Sequence, residues 1–202
     1  MNLIIATSNK HKLREFKELL QEFPFTILSL ADFPHLPPIV EDGKTFYENA
    51  LKKATTVAQL TGKLTVADDS GIEVEALGGK PGIISARFAG KGASDDENNA
   101  KLLKDIKGVP PDKRDACFKC VLVIAPAEGK TAFVEGECKG TIIHEPRGEH
   151  GFGYDPLFLV PEYNKTFSEI TPEEKNKISH RSRALRKLLE ILPQYLQNEA
   201  ND

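Results

Sequence analysis

The stretch Asn2-Leu3-Ile4-Ile5-Ala6-Thr7-Ser8-Asn9-Lys10-His11-Lys12-Leu13 passes from an apolar run through polar residues into a segment where Leu13, Phe16, Leu19, Leu20 and Phe23 recur at helical spacing. A short apolar run bounded by polar residues reads as a buried strand, and the i, i+3, i+4 recurrence reads as an amphipathic helix. Pro24 ends that helix. Outward from this strand–helix unit, residues 25–30 read as a second strand and the Pro-rich 34–38 as a loop. Residues 46–60 return to helical spacing, with Phe46, Ala50, Val57 and Leu60 on one face. Residues 64–67 form a strand that ends at Asp68-Asp69-Ser70-Gly71, where a glycine turn is expected. Ile72, Val74 and Ala76 then alternate with Glu73 and Glu75 as a half-buried strand.

Ser94 and Glu97 make a capping box for a helix of about four turns, running to residue 107. Residues 116–125 and 131–138 read as a hairpin, with further strands at 141–144 and 157–160. Thr171-Pro172-Glu173-Glu174 carries the cap, proline and glutamate of a helix start. Leu185, Leu188, Leu189, Leu192 and Leu196 line a final amphipathic helix bent near Pro193. Strands and helices interleave early and antiparallel strands follow, which predicts an α/β fold on a mixed sheet. No repeat or linker divides the chain, so 1–202 reads as one domain.

Hydrophobic residues at 40% and charged residues at 28% exclude disorder and coiled coil. Residues 121–127, the longest apolar run, are too short to span a bilayer, and residues 1–6 lack the features of a signal peptide. A cytoplasmic protein with no membrane partner is expected. The 27 basic and 30 acidic residues leave a net charge of −3, without the basic excess of a nucleic-acid-coating protein. Three cysteines imply no disulfide framework. Cys117 and Cys120 lie three apart on one strand and face opposite ways, which disfavours zinc or redox use.

Five places carry residue types suited to chemistry. Thr7, Ser8, Asn9, Lys10, His11 and Lys12 stand at a helix N-terminus, where phosphate can dock, although a plain N-cap reads equally well. Gly43-Lys44-Thr45 is no P-loop, because Pro38 stands where the first glycine is required. Lys53 falls inside the apolar stripe of its helix, and so either snorkels outward or reaches an anion. Asp68 and Asp69 are adjacent acids that need a cation or donors. Only one of them would meet a metal directly, with Glu41 and Asp42 as a second acidic pair. Gly151-Phe152-Gly153-Tyr154-Asp155-Pro156 offers close backbone approach and an aromatic face for a base. Lys175 and Lys177 with Ser179-His180-Arg181 form a donor cluster. The combination suits a nucleoside polyphosphate.

Thr7-Ser8-Asn9-Lys10 with Lys12, Thr45-Phe46 with Glu48-Asn49-Ala50 and Lys53-Ala54, and Ala67-Asp68-Asp69-Ser70-Gly71 occur in this order. Pro81-Gly82 with Ser85-Ala86-Arg87, Gly151-Phe152-Gly153-Tyr154-Asp155-Pro156, and Lys175 with Ser179-His180-Arg181 follow them. In these motifs, from about residue 2 to 192, the chain closely resembles the non-canonical purine triphosphate pyrophosphatases, the inosine triphosphate pyrophosphatase family. The resemblance implies a long twisted mixed sheet with two α/β lobes, the active site in the cleft between them. It also implies a Mg²⁺-dependent homodimer that hydrolyses ITP, dITP and XTP to monophosphate and pyrophosphate. By the same resemblance, Asp69 is the proton acceptor and a metal ligand, and Lys53 neutralises phosphate charge. Thr7, Ser8, Asn9, Lys10, His11 and Lys12 hold the triphosphate, and Ser70 contacts substrate. Phe152, Gly153, Tyr154, Asp155, Lys175, His180 and Arg181 frame the base. Many relatives carry two glutamates ahead of the glycine matching Gly43. Here Val40 and Glu41 occupy those positions, so Glu41 stands as the second metal ligand on a partial match. A non-catalytic nucleotide sensor and a pyrophosphatase for other modified nucleotides remain alternatives.

Overall fold

The computed structural model describes residues 2–196. Met1 and residues 197–202, the ends of the unit read as 1–202, lie outside the described residues. The strands are β1 (Asn2–Ile5), β2 (Thr26–Ser29), β3 (Thr65–Val74), β4 (Asp115–Ala125), β5 (Ala132–Ile142), β6 (Phe158–Val160) and β7 (Lys165–Thr166). The helices are α1 (Lys10–Leu19), α2 (Phe46–Thr61), α3 (Asp95–Asp105), α4 (Pro172–Ile178), α5 (His180–Ile191) and α6 (Pro193–Leu196). The strands form a seven-stranded sheet in the order β2-β1-β3-β4-β5-β6-β7. β1 runs parallel to β2 and β3, whereas β6 is antiparallel to β5 and β7, so the sheet is mixed as expected.

The packing divides the described chain into two compact units: residues 2–69, 120–136 and 182–196, and residues 70–119 and 137–181. Each has its own apolar core. In the first unit, Leu3, Ile5, Phe16, Val66, Leu122, Ile124, Leu185 and Leu188 pack together. In the second, Ile72, Val74, Leu102, Phe118, Leu157, Phe158 and Phe167 do so.

Several expectations need correction: α1 ends at Leu19, short of Phe23 and Pro24, and residues 141–142 belong to β5 rather than to a further strand. Asp68-Asp69-Ser70-Gly71 is no turn, because β3 runs unbroken from Thr65 to Val74. Gly71 serves close approach instead: a Cβ there would lie 2.4 Å from Ser85 Oγ and 2.5 Å from the Gly82 carbonyl oxygen. That proximity lets the Ile72 N–H donate to Ser85 Oγ at 3.0 Å. Leu60 is 53% exposed, because the buried face of α2 runs through Asn49, Ala50, Lys53, Ala54, Val57 and Ala58 and does not include it. The capping box of Ser94 and Glu97 is present, but α3 spans 11 residues rather than four turns and gives way at Ile106.

Candidate active site

In the first unit, α2 presents Asn49 and Lys53, four residues apart and therefore on one face. Thr45 caps the helix by accepting the Glu48 N–H at 3.1 Å, and the left-handed Gly62 ends it. Lys53 reaches inward, with only 9% of its side chain exposed. Its ammonium donates to the Asp68 carbonyl oxygen at 2.8 Å and lies 3.0 Å from Glu41 Oε1 and 3.6 Å from Asp69 Oδ1. Asn49 donates to Asp69 Oδ2 at 3.0 Å while its Oδ1 accepts the Gly43 N–H at 2.8 Å. A Cβ at Gly43 would meet that Oδ1 at 2.7 Å and Glu48 Cβ at 2.8 Å, so the chain carrying Glu41 lies tight against α2. One asparagine thus ties this loop to Asp69.

Asp68 and Asp69 point to opposite sides of β3, as alternation requires. Asp68 is 1% exposed, pairs with the Lys12 ammonium, and accepts from Cys120 Sγ at 3.1 Å. Asp69 is 6% exposed. Burial raises its pKa, a rise opposed by the Lys53 and Lys12 charges and the Asn49 hydrogen bond and assisted by the Glu41 charge. A carboxylate whose proton affinity is raised inside a cationic setting is suited to accept a proton.

At the start of α1, Asn9 is the cap, its Oδ1 accepting the N–H groups of His11 at 2.9 Å and Lys12 at 3.1 Å. Thr7 is buried and accepts the Asn9 N–H at 3.2 Å, whereas Ser8, Lys10 and His11 are exposed. The N-cap reading and a group of surface donors therefore coexist in 7–12.

The second unit gathers the other cluster. Arg181, 1% exposed, donates to Ser70 Oγ at 2.9 Å, and Ser70 follows Asp69 in the chain. Asp155 accepts from Lys175 at 2.6 Å and from the Phe152 N–H at 2.9 Å. The Phe152 ring has the Lys175 ammonium 4.8 Å and the Arg181 guanidinium 5.9 Å from its centroid. His180 is 3% exposed and stacks on Phe118 at 4.7 Å, so its ring belongs to the packed interior. Tyr154 donates from its hydroxyl to the Ser85 carbonyl oxygen at 2.8 Å, and burial raises its pKa well above the usual phenol value. Gly151 and Gly153 have φ of +79° and +61°, which an L side chain rarely adopts.

Sequence reasoning gave no role to Asn49, although a polar residue on a buried helical face is the same signal that singled out Lys53. Among the described residues, no three His, Cys, Asp or Glu side chains are grouped to hold a metal ion. Two carboxylates, Asp69 and Glu41, do converge on the Lys53 ammonium. A hard divalent cation commonly takes one or two carboxylates and completes its shell with water and phosphate, so this pair fits one. Among the described residues, no helix is long and apolar enough to cross a membrane.

The family model described as the Ham1 family matches residues 3–191. The dITP/XTP pyrophosphatase of Desulforamulus reducens is 53% identical over 192 residues, covering 95% of this chain and 96% of that protein. The Ham1 protein of Staphylococcus aureus superposes with a TM-score of 0.86 at 36% identity, covering 96% of this chain and all of that one. A HAM1 protein from Coxiella burnetii gives a TM-score of 0.87 at 39% identity, covering 96% and 99%.

Proposed function

Because the chain belongs to the Ham1 family, we propose that it hydrolyses deaminated purine nucleoside triphosphates (ITP, dITP and XTP) to the monophosphate and pyrophosphate. The observation that carries this reading is the buried Asp69 carboxylate, held by Asn49 and faced by Lys53. Relatives about half identical over nearly the whole chain bear the name dITP/XTP pyrophosphatase.

The assigned roles follow from charge and reach. Ser8, Lys10 and His11 at the exposed start of α1, with Thr7, Asn9 and Lys12, hold the triphosphate. Asp69 orients a water on the α-phosphorus and takes its proton. The new bond is P–O from that water, and the bond that breaks joins the α-phosphorus to the bridging oxygen of pyrophosphate. Lys53 offsets the charge that builds on the phosphates and keeps Asp69 in place. Mg²⁺ on Asp69 and Glu41 would supply further charge neutralisation for the same phosphates. Ser70 contacts the substrate, and Phe152, Gly153, Tyr154, Asp155, Lys175, His180 and Arg181 frame the base. The enzyme acts as a homodimer in the cytoplasm, as a single domain over 1–202.

Two results test the assignment. With ITP and Mg²⁺ the expected products are IMP and pyrophosphate, read by a pyrophosphate-coupled assay. Orthophosphate with IDP would place cleavage at the other bond, and binding without release would favour a sensor. EDTA treatment is expected to abolish turnover and Mg²⁺ to restore it. Full activity without metal would remove the role given to Asp69 and Glu41 as ligands.

A further inference from the structure

The loop at 151–154 has two glycines at positive φ, and backbone of that kind is free to take many conformations unless something holds it. What holds Gly153 is α3. Asp95 Oδ2 accepts the Gly153 N–H at 2.6 Å, and Asn99 donates from Nδ2 to the Gly153 carbonyl oxygen at 2.9 Å. Asp95 and Asn99 are four residues apart, so one helix face grips both polar groups of a single residue. On the other side of Phe152, its own N–H is held by Asp155 at 2.9 Å. The peptide planes flanking the Phe152 ring are therefore fixed.

Asn98, the neighbour of Asn99, grips a different segment. It accepts the Ala89 N–H at 2.8 Å and donates to the Ala86 carbonyl oxygen at 3.4 Å, and Tyr154 bonds the same segment through the Ser85 carbonyl. α3 is thus a rigid backing for the loop. Asn99 is only 6% exposed, and its Oδ1 is buried without a hydrogen-bond partner. A buried unpaired acceptor costs stability, so core packing alone does not account for an asparagine at this position. The donor it aims at Gly153 does.

We propose that Asn99, seconded by Asp95, is a positioning residue for purine discrimination, setting the Gly153 peptide and through it the Phe152 ring. This rests on the assignment of Phe152 and its neighbours to the base. A ring displaced by a fraction of an ångström loses its contact with the purine while the phosphates and Asp69 are untouched. The expected signature is therefore in KM and in the ratio between bases, not in kcat.

The test is steady-state kinetics of the full chain with ITP, XTP and ATP. Asn99→Asp keeps the shape but turns an acceptor toward the Gly153 carbonyl. KM for ITP and XTP should rise at least tenfold, with kcat within about threefold and the ITP-to-ATP ratio of kcat/KM down about tenfold. Asp95→Ala, at an exposed position, should move the same ratio in the same direction by less, and Asp95→Asn should restore it by supplying an acceptor. Asp96→Ala beside it should match wild type. A uniform fall for ITP and ATP, or no change in either variant, would overturn the proposal. Phe152→Ala separates this from failure of the underlying assignment. If that variant keeps full ITP preference, the base lies elsewhere, whereas lost preference in Phe152→Ala with unchanged Asn99→Asp rejects the positioning role alone.

Discussion

Asp69→Asn is expected to lower kcat for ITP by three to four powers of ten while the protein melts at no lower temperature than wild type. General-base assistance contributes on the order of 10²–10⁴ to a rate, and the same carboxylate is assigned to the metal, so the loss falls at the upper end. The stability half follows from burial. Burial raises the Asp69 pKa, so the folded state disfavours the ionised carboxylate relative to the unfolded chain. That penalty is present at neutral pH, above the usual carboxylate pKa, and a neutral amide removes it. The amide oxygen can still accept from Asn49 Nδ2, which lies 3.0 Å from Asp69 Oδ2. Thermal unfolding of the metal-free protein and pyrophosphate release measure the two halves. A variant with kcat within tenfold of wild type would remove Asp69 from the chemistry.

Lys53→Met is expected to cut kcat at least a hundredfold, against almost no change for Lys52→Met. The two lysines are adjacent in the chain and opposite in environment. Lys52 pairs at 2.6 Å with Asp42, both side chains largely in water, where ion pairs contribute little. Lys53 sits among the Asp68 carbonyl, Glu41 and Asp69. Methionine fills the same space but leaves two carboxylates without the nearest cation and the substrate phosphates without a counter-charge. Parallel kinetics of both variants check this, and equal activity would mean that Lys53 serves only to pair Glu41 and Asp69.

Local sequence signals located most elements because those signals are physically local. The capping residues Ser94 and Thr171 each stand at the observed helix start, since a side-chain oxygen can satisfy the first N–H groups without help from elsewhere. The break at Pro193 is local in the same way. The apolar stripe of α2 marked Lys53 as a charge on the buried face, and the alternation of a strand put Asp68 and Asp69 on opposite sides.

Other features depend on what arrives from far along the chain. Gly71 looked like a turn because glycine between polar residues usually is one. It is extended because Ser85 and Gly82 press against the strand where a Cβ would stand. His180 looked like a ligand-binding donor, and only packing places its ring on Phe118. Lys12 read as a phosphate ligand, and only the fold pairs it with Asp68, 56 positions away. The grip of Asp95 and Asn99 on Gly153 spans 58 and 54 positions, with no periodicity to announce it. Local patterns along the chain therefore suffice for the α/β class, most helix and strand positions and the residue types able to bind phosphate, metal and base. Which of those polar groups are already engaged with one another is settled by packing alone. Hydrogen bonds and ion pairs act over a few ångströms, and which groups come that close is set by chain packing rather than by neighbours in sequence.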